Sequence, residues 1–131
     1  MKLENNWRNK SIEALEKTNY GDPDTAPTGL VKRCFEYIKI PVTNLSIEQL
    51  RMLISQNIGL NYTIRLAIEI LSQNILIEGD LYEGDLLNSV PDADIYFWQQ
   101  NKDLKEELVG TLNQNRALLN DHGIQLEHFL N

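Results

Sequence analysis

Asn61-Tyr62-Thr63-Ile64-Arg65-Leu66-Ala67-Ile68-Glu69-Ile70-Leu71 carries apolar residues on more than one side of a helix. Tyr62, Leu66 and Ile70 form one ridge, and Ile64, Ala67, Ile68 and Leu71 form a second face. A helix that is apolar nearly all round is one surrounded by other elements. This segment, with Asn61 as its cap, is therefore expected at the centre of the fold, running from about Tyr62 to Gln73.

The neighbouring stretches supply the helices that would surround it. Ser46-Ile47-Glu48-Gln49 has the spacing of a capping box, in which Ser46 caps the helix and Gln49 reaches back to it. The helix it opens would bury Ile47, Leu50, Leu53 and Ile54 and end near Gly59 as C-terminal cap. Further upstream, Thr28 can cap a helix whose apolar positions Leu30, Val31, Cys34, Phe35 and Ile38 follow the 3.6-residue period, with Pro41 as its stop. Ser11 to Lys17 is a short amphipathic turn carrying Ile12 and Leu15. The two prolines and the glycine of Gly21-Asp22-Pro23-Asp24-Thr25-Ala26-Pro27 make that segment a loop.

Downstream, Ile75-Leu76-Ile77 could pass for a strand, but no second clear strand is there to pair with it, and it reads as buried connection. Asp80 and Glu83 are spaced as a second capping box for a short helix that Pro91 would break. Asp92 or Asp94 leads into Ile95-Tyr96-Phe97-Trp98. A long helix from about Asn101 would carry Leu104, Leu108, Leu112, Leu118 and Leu119, and His122-Gly123 would end it before a last turn from Gln125 to Leu130. The expectation is an all-α fold: one compact domain over residues 1–131, a bundle of six or seven helices, with the C-terminal helices at about 93–131.

Composition bounds the function. A chain of 131 residues can bury about two thirds of its unfolded surface without disulfide or metal. Its one cysteine, Cys34, lies among apolar residues and reads as a small core residue in a reducing cytoplasm. The opening residues Met1 to Asn6 lack the apolar run of a signal peptide, and no apolar stretch is long enough to span a membrane. A soluble cytoplasmic protein is expected. The sequence pI near 4.7 argues against direct nucleic-acid binding, which needs basic surface.

The charge is unevenly spread. Between Arg65 and Lys102 there is no lysine or arginine, yet the segment holds Glu69, Glu78, Asp80, Glu83, Asp85, Asp92 and Asp94, which together match the net charge of −7. A face of one sign steers partners of the opposite sign toward it. Tyr82, set among these carboxylates, either anchors an interface or lies down on the central helix as a lid. Asp80 and Asp85 either contact a partner or cap helix ends.

Catalytic readings find little support. A nucleophile needs a neighbouring base and an orienting group, and the two histidines, His122 and His128, both fall in the last ten residues. The carboxylates lack the spacing of a calcium loop, and no His-Glu-x-x-His is present. No glycine-rich phosphate loop occurs, because Gly79 and Gly84 are flanked by acids. No catalytic residue, metal ligand or cofactor is expected.

Four blocks carry a resemblance: Lys10-Ser11-Ile12-Glu13-Ala14-Leu15-Glu16; Leu30-Val31-Lys32-Arg33-Cys34; Leu45 to Leu60, reading Leu-Ser-Ile-Glu-Gln-Leu-Arg-Met-Leu-Ile-Ser-Gln-Asn-Ile-Gly-Leu; and Glu78-Gly79-Asp80-Leu81-Tyr82-Glu83-Gly84-Asp85-Leu86-Leu87. In this order, over about residues 10–90, the chain resembles the immunity proteins of bacterial contact-dependent growth inhibition (CDI) systems. Ser55, Ile75 and Glu83 depart from the usual pattern, which often has glycine, proline and proline there. The resemblance implies a non-enzymatic cytoplasmic antidote that binds the C-terminal toxin domain of a large exoprotein one-to-one. Such toxins are most often nucleases, and therefore basic. The toxin-binding residues expected on this reading are Glu78, Asp80, Tyr82, Glu83, Asp85, Asp92 and Asp94. The competing expectation is an acidic helical adaptor or chaperone-like module.

Overall fold

A computed structural model describes residues 3–130; Met1, Lys2 and Asn131, the ends of the stretch read above as one domain, lie outside it. Among the described residues there are nine α-helices and no strand. They are α1 (Ile12–Glu16), α2 (Gly29–Tyr37), α3 (Ile47–Ser55), α4 (Leu60–Gln73), α5 (Asp85–Ser89), α6 (Ile95–Gln100), α7 (Lys102–Gln114), α8 (Arg116–Asp121) and α9 (Glu127–Leu130). The all-α expectation holds. The count exceeds six or seven because several of the helices are only one turn or so long.

α4 occupies the centre. Its residues Tyr62, Thr63, Ile64, Leu66, Ala67, Ile68 and Leu71 are buried, and it packs against α3, α7 and the 3-10 turn Val42–Asn44. Trp7 closes one end, its ring 5.9 Å from that of Tyr62. The buried side chains of all these elements form one connected apolar cluster.

The capping signals upstream act as expected. Thr28 Oγ1 accepts from Val31 N at the start of α2; α1 has a cap that the sequence reading does not assign, Ser11 Oγ accepting from Ala14 N. Both halves of the Ser46/Gln49 capping box are made, at 3.1 and 2.9 Å. The α3–α4 junction corrects two assignments. α3 is ended by Asn57, which takes the left-handed conformation (φ 58°). The Asn57 N–H bonds to Ile54 O and the Ile58 N–H to Leu53 O, the paired closure of a Schellman motif. Gly59 is instead the residue before α4, also left-handed at φ 63°, and Asn61 lies inside the helix without capping it. The reason is local space: a Cβ on Gly59 would lie 2.7 Å from Ile12 Cδ1, so α1 seals the junction only over a glycine.

The C-terminal part differs from the single long helix expected. α7 buries Leu104, Leu108 and Leu112, then breaks at Asn115, whose side-chain amide donates to Thr111 O at 2.8 Å. α8 turns away, so Leu119 is buried while Leu118 is exposed. Gly123 (φ 69°) ends it in a second Schellman closure, Ile124 N–H to Leu119 O at 2.9 Å. α9 then folds back on α6, bringing Phe129 edge-on to Trp98 at 5.0 Å. Ile75 is buried, and Leu76 and Ile77 partly so, as connection without a ladder.

Leu66→Asp or Ile68→Asp is expected to unfold the protein or lower its stability by several kcal/mol, since each would bury an unpaired charge. Thermal melts that match the parent would disprove the central placement of α4. Gly59→Ala should destabilise by more than about 1 kcal/mol through strain and collision, whereas Gly110→Ala, an open position inside α7, should stabilise by up to about 1 kcal/mol. The same melts separate the two.

Candidate interaction site

The acidic segment is a loop pinned from beneath. Gly84, left-handed at φ 87°, starts α5, and its N–H bonds to Leu76 O at 3.2 Å. The carboxylate of Asp85 then turns back under the loop. Its Oδ1 accepts from Gly79 N at 2.7 Å, and its Oδ2 accepts from Leu81 N at 3.0 Å and more distantly from Tyr82 N at 3.5 Å. A second carboxylate comes from α3: Glu48 Oε1 accepts from Asp80 N at 3.1 Å. Glu48 is itself held by Arg51, through Nε at 2.7 Å and Nη2 at 2.5 Å, a bidentate pair one helical turn away.

Four consecutive backbone N–H groups, Gly79 to Tyr82, thus point at two carboxylates. This geometry explains Gly79. Its φ is not left-handed; a Cβ there would lie 2.9 Å from Glu48 Oε1 and 3.0 Å from Asp85 Oδ2, so any side chain would enter the carboxylate pair. It also replaces the expected capping box. Asp80 and Glu83 cap nothing: α5 starts only after Gly84 with no side-chain cap, and the N–H groups that Asp85 takes up belong to the loop before the helix.

The residues expected to bind a partner therefore separate into two sets. Asp85 is 2 % exposed and faces inward, so it holds the loop and is not available at the surface. Glu78, Asp80 and Glu83 are exposed, and Leu81 and Tyr82 are 61 % and 49 % exposed. Tyr82 does not lie down on α4; its hydroxyl accepts from Asn88 Nδ2 at 3.3 Å, laying the ring along α5. Asp92 and Asp94 are also exposed. Asp94 caps α6, accepting from Tyr96 N at 3.0 Å. Its own N–H donates to Asn57 Oδ1 at 2.8 Å. Glu69 lies apart, paired with Arg8.

The two histidines each face one of these carboxylates, His122 Nε2 at 3.4 Å from Glu83 and His128 Nε2 at 3.7 Å from Asp92. A groove of about 500 Å³ runs beside Tyr82, Glu83, Asn88 and His122. Cys34 is buried, and burial pushes its thiol pKa up, away from a reactive thiolate. Among the described residues, no three His, Cys, Asp or Glu side chains are grouped to hold a metal ion. Among the described residues, no helix is long and apolar enough to cross a membrane.

Sequence reasoning missed Glu48, Arg51, Asn57 and Asn88. The i, i+3 spacing of Glu48 and Arg51 was visible as a helix-surface pair, but their partner lies 32 positions away, and nothing local announces it.

The arrangement offers a surface of carboxylates and apolar side chains on a loop held from beneath by Asp85 and Glu48. It is the surface of an all-helical acidic protein. A family model for CDI immunity proteins matches residues 14–108. The chain belongs to that family. The match spans both the α3 block and the acidic loop that α3 holds. No curated protein and no solved structure matches the chain.

Asp85→Ala should lower stability by about 1–3 kcal/mol, because it strands buried loop donors, while Glu78→Gln and Glu83→Gln should stay within about 0.5 kcal/mol of the parent in denaturant titrations. Acid should weaken the clamp. The Arg51 guanidinium holds the Glu48 carboxyl below 4.5 against the opposing effect of burial, and the Asp80 N–H adds to it. A carboxyl whose pKa is lower folded than unfolded contributes stability above the unfolded value and loses it as pH falls through the folded one. Stability should therefore decline below about pH 4.5, and Glu48→Gln should flatten that decline; equal slopes for parent and variant would disprove the coupling.

Proposed function

We propose that the chain neutralises a cognate CDI toxin domain by binding it one-to-one in the cytoplasm, as a single non-enzymatic unit, and that this toxin is a basic nuclease. Family membership supports the immunity role. The observation that carries the finer reading is the surface left once the structural carboxylates are set aside. Of the seven acids between Arg65 and Lys102, Glu69 is paired with Arg8 and Asp85 is buried. Glu78, Asp80, Glu83, Asp92 and Asp94 remain exposed, with no lysine or arginine among them in sequence.

A nuclease must be basic where it holds phosphate, and an acidic binder competes for that ground without touching nucleic acid itself. In this reading Glu78, Asp80, Tyr82 and Glu83 contact the toxin, with Asp92 and Asp94 extending the acidic field. Asp85 acts through the loop, as a positioning residue.

The reading is tested with the purified toxin domain of the cognate CDI exoprotein. Nuclease activity should titrate to zero at one equivalent of the immunity protein. The association rate should fall steeply between low and physiological salt, while dissociation changes less. The combined substitution Glu78→Gln, Asp80→Asn and Glu83→Gln should slow association by about tenfold or more with an unchanged melting temperature. A salt-independent association rate would sink the electrostatic reading, and weak binding to many unrelated clients would favour an adaptor.

A further inference from the structure

We infer that the toxin-contacting face has two apolar anchors, Leu81–Tyr82 on the acidic loop and Ile95–Tyr96 at the start of α6, set at opposite ends of α3; this rests on the function proposed above. Among the described residues, four of the five exposed large apolar side chains are these, with Ile95 72 % and Tyr96 64 % exposed. Single exposed apolar residues are ordinary, but clustered ones rimmed by charge mark contact surfaces. Each pair is rimmed by acids: Asp80 and Glu83 around the first, Asp92 and Asp94 before the second.

Both pairs are referenced to the same rigid element. Glu48, in the first turn of α3, holds the Asp80 N–H, and Asn57, just past its end, holds the Asp94 N–H. These attachment points are nine residues apart, roughly 13 Å along the helix axis. Between them α5 packs along α3, and Tyr82 is laid over α5 toward Asn88. Chain segment 78–96 therefore traverses α3 from one end to beyond the other and presents an anchor at each.

Attachment points that far apart fit within one patch of about 800 Å² per partner, the usual footprint of a specific complex. The occupant this face suits is one basic protein surface with two apolar recesses set among lysines and arginines. Its charge complements the rim, and the aromatic anchors supply the buried area that charge alone does not. Interface cores favour tyrosine for this reason: a large, stiff ring loses little freedom when it is covered.

The experiment measures the affinity of the toxin domain for Tyr82→Ala, Tyr96→Ala, Ile95→Ala and the Tyr82→Ala/Tyr96→Ala pair, with melting temperatures on the same samples. Each aromatic truncation should weaken binding by about 30-fold or more, and the losses should multiply in the pair, since sites this far apart act independently. Tyr96→Phe should stay within about threefold, because the ring and not the hydroxyl is what is covered. Melting temperatures should be unchanged. If Tyr82→Ala weakens binding while Ile95→Ala and Tyr96→Ala do not, the second anchor is wrong and the acidic-loop interface stands. If all of these variants and the acid-to-amide variant bind like the parent, the interface lies elsewhere and both readings fall.

Discussion

α4 must be shielded from water on nearly every side, and the other helices are arranged to meet that demand. α1 closes over Gly59 at its start, α3 and the Val42–Asn44 turn lie along it, α7 covers another side and Trp7 stacks near Tyr62. A helix with a single apolar stripe could be satisfied by one partner. One buried on both its ridges needs partners from distant parts of the chain, and this couples the N-terminal and C-terminal halves into one connected core. α3 gains its importance second-hand: packed on α4 by one face, it is fixed well enough for its other faces to position α2 and α5.

The acidic loop depends on that fixity. Burying the Asp85 carboxylate would be costly if it were left alone, but the loop turns the Gly79, Leu81 and Tyr82 N–H groups toward it. Ionised acceptors with several backbone donors are among the stronger hydrogen-bond arrangements in proteins. Glu48 and Arg51 add a charged pair beneath the same backbone. The loop is held by its main chain, and this leaves the side chains of Glu78, Asp80 and Leu81 outside that clamp, with Tyr82 and Glu83 exposed beside Asn88 and His122.

This division bears on how an immunity protein reconciles a common frame with a particular partner. The glycines and the inward carboxylates of the acidic block serve the frame: Gly79 for lack of space, Gly84 for its left-handed backbone, and Asp85 and Glu48 for the donors they satisfy. The outward positions can change without disturbing it. Identity at the inward positions then belongs to folding, and under the proposed function the discrimination of one partner from another would fall to side chains that the frame does not constrain.

The sequence by itself determined the all-helical class, the Thr28, Ser46 and Gly123 helix ends and the central place of α4, because these rest on short-range periodicity and on hydrogen bonds spanning three or four residues. Thr28, Ser46 and the closing Gly123 were legible for that reason. It also fixed the one-signed charge between Arg65 and Lys102. Only the tertiary structure decided which acids face outward. Asp80 and Asp85 look alike in sequence, each following a glycine and preceding a leucine, yet one is exposed and the other buried under the loop. Asn57 took the helix-ending place expected of Gly59 because α1 needs the glycine's open side two residues later. Each outcome was set by an atom brought close from a distant part of the chain, Glu48 in the one case and Ile12 in the other, and local spacing carries no record of such neighbours.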